Sequence, residues 1–190
     1  MKKIVLAGPP RSGKSCLREG LKQVMRAIPG APYPYVITAC PDGEGSWFQE
    51  TVNADPDLAA RLKADYKSKF TQDFVRRIAE SVQKCSLDFA LIDIGGITSV
   101  ENEAICASAT HMVILAGDMS KVAEWREFAD KVGLTVVAEI HSDYHGTEDK
   151  VEGTSSDGVL RGSVHHLERG EPLASRPMIR ALAEHLIAVG

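Results

Sequence analysis

The chain has 190 residues, enough for one domain with a full core, and its 44% hydrophobic and 25% charged residues are ordinary for a globular protein. A net charge of −4 argues against a coat of base, so no clear nucleic-acid surface is expected. Residues 1–30 nevertheless carry seven Lys or Arg and one acid, Glu19, while residues 31–60 carry Asp42, Glu44, Glu50, Asp55 and Asp57 and no Lys or Arg; this split either suits phosphate beside metal or polar substrate, or is clustering on solvated faces.

Strand and helix patterns alternate along the chain. Residues 4–7 form a short apolar run, and Gly8 bounds it. Residues 16–28 then read as a helix, with Leu17, Leu21, Val24, Met25 and Ile28 at helical spacing and Pro29-Gly30 as the stop. "YPYVITAC" (33–40) reads as a second strand ended by "PDGEG". Residues 56–84 read as helical with a break near Ser68; Asp55 can cap this helix, and Pro56 suits its first turn.

"DFALIDIGG" (88–96) is nearly all apolar, as a central strand would be. A short helix follows at 101–109, a strand at 111–117, a helix at 120–132 and a strand at 134–141. Residues 142–158 are polar and read as a mobile loop. One last strand fits within 159–170, and 175–189 is an amphipathic closing helix with Met178, Leu182, Leu186 and Val189 on one side. This alternation predicts one α/β domain over 1–190, with a mostly parallel sheet covered by helices on both faces. Ligands in such sheets sit beyond the carboxyl ends of the strands.

Cys16, Cys40, Cys85 and Cys106 form no C-x-x-C pair, which fits reduced thiols in a cytoplasmic protein. The apolar run at 4–7 is too short for a signal peptide, and no run is long enough to cross a bilayer, so no membrane role is expected.

Gly8-Pro9-Pro10-Arg11-Ser12-Gly13-Lys14-Ser15 matches G-x-x-x-x-G-K-[ST] at every fixed position, between a strand and a helix. Polyphosphate needs backbone N–H groups aimed inward, and glycines let the chain curl tightly enough to provide them. The start of the next helix, with Cys16 just past the motif, adds partial positive charge. Lys14 can reach the β- and γ-phosphates, and Ser15 can ligate Mg²⁺. Arg11 either touches phosphate or points to solvent. Pro9 and Pro10 stiffen the loop.

This is the Walker A pattern, and the chain resembles the P-loop NTPase superfamily. The resemblance implies a three-layer α/β/α fold that binds a nucleoside triphosphate with Mg²⁺. "LIDIGG" then resembles a Walker B strand, with Asp93 as the metal-side carboxylate. Asp93-Ile94-Gly95-Gly96 also fits D-x-x-G, where the Gly96 N–H senses a γ-phosphate. Ile94 stands where mechanical ATPases carry a water-polarising Glu, which places the layout nearer the kinase–GTPase side of the superfamily. Where guanine-selective members carry [NT]-K-x-D, this chain has "EIHSDYHG"; ATP is therefore the expected nucleotide, although Asp143 can meet a base edge.

"CPDGEGSWFQE" should lie on the same sheet edge as the phosphate loop. Asp42 and Glu44 are either catalytic groups near a phosphoryl acceptor or the acids of a turn with Trp47 and Phe48 pinned in the core. Arg76 and Arg77 either reach phosphate or belong to a solvated helix face, and Lys121 with Arg126 give only a weak signal for an arginine lid. His141, Asp143 and His145, or His165, His166 and Glu168, lack the further ligand a structural metal needs.

Three functions fit: a slow ATPase acting as a regulatory switch, a small-molecule kinase, or a nucleotide-binding interaction module. The partner would be a small-molecule acceptor or a protein, and a homo-oligomer is compatible with each reading. "ACPDGEGSWFQE" together with "GVLRGSVHHLERGEP" is similar to the ATPase-type domain sometimes joined to CRISPR-associated ring nucleases. That resemblance implies a role near cyclic-oligoadenylate signalling in a prokaryote, with any nuclease a separate protein.

Overall fold

A computed structural model describes residues 1–40 and 70–189. The strands are β1 (Lys2–Ala7), β2 (Tyr35–Ala39), β3 (Phe89–Ile94), β4 (His111–Ala116), β5 (Thr135–Asp143), β6 (Lys150–Thr154) and β7 (Leu160–His165). The helices are α1 (Lys14–Ala27), α2 (Gln72–Lys84), α3 (Val100–Cys106), α4 (Val122–Val132) and α5 (Pro177–Ala188), with a 3₁₀ turn at Met119–Lys121.

Among the described residues one seven-stranded sheet has the order β2-β3-β1-β4-β5-β7-β6, and only β6 runs antiparallel to its neighbour. The central strands are buried on both faces, and their period of two sorts side chains into two cores. Ile4, Leu6, Phe89, Leu91, Val113 and Leu115 face α1 and α5, meeting Leu17, Leu21, Met178 and Leu182. Val5, Ala7, Ile92, Ile94, Met112 and Ile114 face α2, α3 and α4, meeting Val82, Ile105, Trp125 and Phe128. The result is the three-layer α/β/α arrangement with a mostly parallel sheet that the alternation predicts.

Local chemistry sets most element ends. Thr71 and Ser99 accept backbone N–H groups at the starts of α2 and α3. Pro177 occupies the first turn of α5, and Gly133 ends α4 in the left-handed conformation. The bland polar run 142–158 is the main departure from expectation. Strand β5 continues to Asp143, and Lys150–Thr154 forms β6. Its burial pattern is almost wholly exposed, so no apolar alternation announces it; pairing with β7 holds it at the sheet edge.

The six parallel strands bring their carboxyl ends to one edge, and chain order reverses around β1, flanked by β3 and β4. That is where a parallel sheet opens a crevice. Asp42, Glu44, Trp47, Phe48 and the 56–69 part of the expected helix lie outside the described residues. No helix among the described residues is long and apolar enough to cross a membrane.

Candidate functional site: the loop between β1 and α1

The loop from Gly8 to Gly13 connects the central strand to α1. Gly8 has φ 135°, and a Cβ there would lie 1.9 Å from the Leu115 carbonyl oxygen of β4. Only glycine tolerates both the angle and the contact. Gly13 caps α1 in the left-handed conformation, and a Cβ there would meet Leu167 Cδ1 at 2.8 Å. Arg11 adopts φ 64° and is exposed.

Helix α1 starts with no side-chain cap and no acid in its first turn. Its first N–H groups therefore face the loop cradle with nothing negative nearby in sequence. Ser12 Oγ is buried and has no hydrogen-bond partner among the described residues. Lys14 is buried, and its ammonium donates to the carbonyls of Gly8 at 2.8 Å and Pro9 at 2.9 Å. Burial lowers its pKa to about 8, against the opposing influence of Asp93 and Cys40.

Asp93 pairs in register with Leu6, one residue short of the end of β1, so β3 delivers its carboxylate beside the loop. Its Oδ2 accepts from Ser15 Oγ at 3.1 Å and from Arg18 Nη1 at 3.2 Å. The turn after β3 packs against the loop: a Cβ on Gly96 would lie 2.5 Å from Pro10 N. Asn102 of α3 pins this turn, donating from Nδ2 to the carbonyls of Gly95 at 3.3 Å and Ile97 at 2.8 Å. Ile94 is buried in the second core.

A cavity of about 430 Å³ adjoins the start of α1, bounded by Cys16, Arg18, Glu19 and Gln23 on one side and Glu168 and Arg169 on the other. The loop carrying Glu168 also presses Leu167 on Gly13, and the Tyr144 hydroxyl donates to Glu168. Cys16 therefore stands on the cavity wall; burial raises its pKa above the ordinary value.

The sequence candidates thus separate into groups. Gly8, Pro10, Ser12, Gly13, Lys14, Ser15, Asp93 and Gly96 converge on one place. Asp143 and His141 line another depression of about 410 Å³ beyond β5. Arg126 turns to buried Glu139, and Arg76 pairs with exposed Asp73, so neither is placed at the phosphate loop. His165 Nδ1 lies 2.7 Å from Asp149 rather than joining His166 and Glu168. Three contributors escaped the sequence reading. Arg18 follows Lys14 by four positions on one helix, a spacing that carries the signal. Asn102 is a polar residue on the buried side of a short helix. Leu167 carries no local signal at all.

The oxygen donors Ser15 and Asp93, together with the partnerless Ser12 hydroxyl in the cradle, fit a magnesium ion carried on polyphosphate, whose own oxygens would complete the shell.

No family model and no curated protein matches this chain. Among solved structures it is similar to a protein of Borrelia burgdorferi B31 described as a plasmid partition protein, bound to AMPPNP. The TM-score is 0.58 at 12% identity, over 97% of this chain and 96% of that one. A likeness at that identity concerns the fold, and it agrees with the α/β architecture built on a mostly parallel sheet.

Proposed function

We propose that the protein is a Mg²⁺-dependent ATP-binding P-loop NTPase that hydrolyses slowly and uses the bound state as a regulatory switch. The observation that carries this reading is the convergence of Lys14, Ser15 and Asp93 on the uncapped start of α1. The phosphates would lie in the cradle of loop N–H groups, and the nucleoside would extend into the cavity beside Cys16. Lys14 would exchange its bonds to the Gly8 and Pro9 carbonyls for phosphate oxygens. Magnesium would supply charge neutralisation and orientation of the β- and γ-phosphates, held by Ser15 and Asp93.

Slow turnover follows from Ile94, which leaves no carboxylate directly after Asp93 to polarise water. The switch follows from Gly96, whose turn rests on Pro10 and is pinned to α3 by Asn102. A γ-phosphate drawn to the Gly96 N–H would move this unit and the exposed Ile97 and Val100 beside it. The AMPPNP in the Borrelia structure and the lack of an [NT]-K-x-D segment both support ATP.

Calorimetry with AMPPNP, ATP and GTP in Mg²⁺, for wild type and Lys14→Ala, tests the binding claim. Saturable ATP binding lost in the variant supports it, and no heat at millimolar nucleotide ends it. Phosphate release without acceptor supports the switch. Acceptor-dependent ADP formation supports the kinase alternative, with Asp42 and Glu44 near the acceptor. Tight binding without turnover supports the interaction module. Adding cyclic oligoadenylates to the same assay tests the signalling role that the ring-nuclease resemblance implies.

A further inference from the structure

We propose that Arg18 is a positioning residue that holds Asp93 as a resident cation and makes metal binding at Ser15 and Asp93 conditional on nucleotide phosphate. The inference rests on the proposed function above and concerns the regulation of the same site.

Asp93 Oδ2, the oxygen that accepts from Ser15, also accepts from Arg18 Nη1 at 3.2 Å. The two side chains are well enclosed, with 14% exposure for Arg18 and 7% for Asp93, so water screens the pair weakly. With Lys14 buried nearby as well, the carboxylate lies in the field of two positive charges. A divalent ion approaching alone meets that positive field and an oxygen already engaged. Nucleotide changes the balance, because its phosphates bring several negative charges to Lys14 and the loop.

Arg18 also has a second seat. Its Nη2 lies 3.0 Å and its Nε 3.2 Å from Glu19 Oε1, and Glu19 sits at the rim with Lys22 on its other oxygen at 3.0 Å. The guanidinium can therefore release Asp93 without losing its other carboxylate partner. Retreat to Glu19 on metal–nucleotide binding, and return on release, is the motion this geometry supports. A structural role for Arg18 would predict loss of fold on substitution; a gating role predicts a gain in metal affinity.

The test is Mn²⁺ binding, read from the free-ion electron paramagnetic resonance signal, for wild type, Arg18→Gln and Arg18→Lys, with and without AMPPNP. Without nucleotide, Arg18→Gln should bind Mn²⁺ about tenfold or more tightly than wild type, because a guanidinium beside a carboxylate lowers its proton affinity by roughly one to three powers of ten and opposes a metal cation in the same sense. Arg18→Lys keeps the charge and should stay near wild type. With AMPPNP, wild type and Arg18→Gln should converge. Equal or weaker nucleotide-free Mn²⁺ binding by Arg18→Gln overturns the proposal, as does Arg18→Lys behaving like Arg18→Gln. Thermal melts of each variant establish that the fold is intact. Absence of any nucleotide binding by wild type would instead end the proposed function, an outcome the metal-only titration distinguishes.

Discussion

The Ser15 hydroxyl donates to Asp93 Oδ2 at 3.1 Å, although 78 positions separate the two residues. The contact exists because β1 and β3 are direct neighbours, with Leu6 in register with Asp93. Substituting Asp93→Asn should lower the metal-dependent part of ATP affinity by about 10- to 100-fold, the loss of one charge-assisted contact of about 1.5–3 kcal/mol. Affinity measured in EDTA should change far less. Comparable losses with and without metal would contradict the assignment.

Lys14 is a buried charge whose pKa is lowered by that burial to about 8, so it weakens the fold it serves. Lys14→Met should abolish measurable ATP binding while leaving urea stability at pH 7 equal to wild type or higher. A marked loss of stability would show that the ammonium is a structural strut for the Gly8 and Pro9 carbonyls.

The two glycines at the loop make opposite demands. Gly8→Ala places a methyl 1.9 Å from a backbone oxygen of β4 at φ 135°, and neither can yield cheaply. A destabilisation of about 2–4 kcal/mol is expected in chemical unfolding. Gly96→Ala meets the loop itself at Pro10, 2.5 Å away, and should displace the Asp93–Gly96 turn more than it unfolds the sheet. Its expected signature is weakened discrimination between ATP and ADP by calorimetry.

Asp149 is a buried acid of the C-terminal layer whose ionisation is tied to the fold. Its side chain is fully buried; burial alone would raise its pKa, but hydrogen bonds from Arg176 and His165 outweigh burial and hold it below the ordinary carboxylate value. It also accepts from Met178 N at the start of α5. A lowered folded value means the unfolded chain binds the proton more tightly. The stabilisation is therefore complete above the unfolded value near about 4 and is lost as pH falls through the folded one. Asp149→Asn should cost about 3–5 kcal/mol at pH 7, since it leaves Arg176 without its counter-ion, and should flatten the acid limb of stability against pH. An unchanged acid limb would place the sensitivity elsewhere.

Thiol labelling gives an independent reading of the site. Cys106 is fully buried, and its pKa is pushed up to about 12, so it should stay unlabelled until the protein unfolds. Cys16, on the wall of the cavity beside α1, should label slowly and be protected by ATP. Protection absent at saturating ATP would move the nucleoside away from that cavity.

The loop between β1 and α1 and the Asp93 strand are legible because their chemistry is local: glycines where the chain must curl, a lysine and a hydroxyl at fixed offsets, an acid at the end of an apolar run. The two-sided burial of β3 is legible for the same reason, since its run is nearly all apolar. Strand β6 was not, because "KVEGT" carries no alternation and owes its shape to β7. The roles of Arg18 and Asn102 depend on which face of a helix meets which turn, and Leu167 reaches Gly13 only after the β7 loop folds back. Asp149 looked like one acid among many in a polar run, and only the arrival of Arg176 and His165 gives it a purpose.

The packing of Leu167 on Gly13 ties the Gly8–Gly13 loop to the segment that carries Glu168, and through Glu168 to Tyr144 at the tip beyond β5. Where two sites are coupled, each ligand changes the affinity for the other by the same factor. A molecule that clasps Tyr144 and Glu168 is expected to change nucleotide affinity at the Gly8–Gly13 loop by the same factor by which nucleotide changes its own binding.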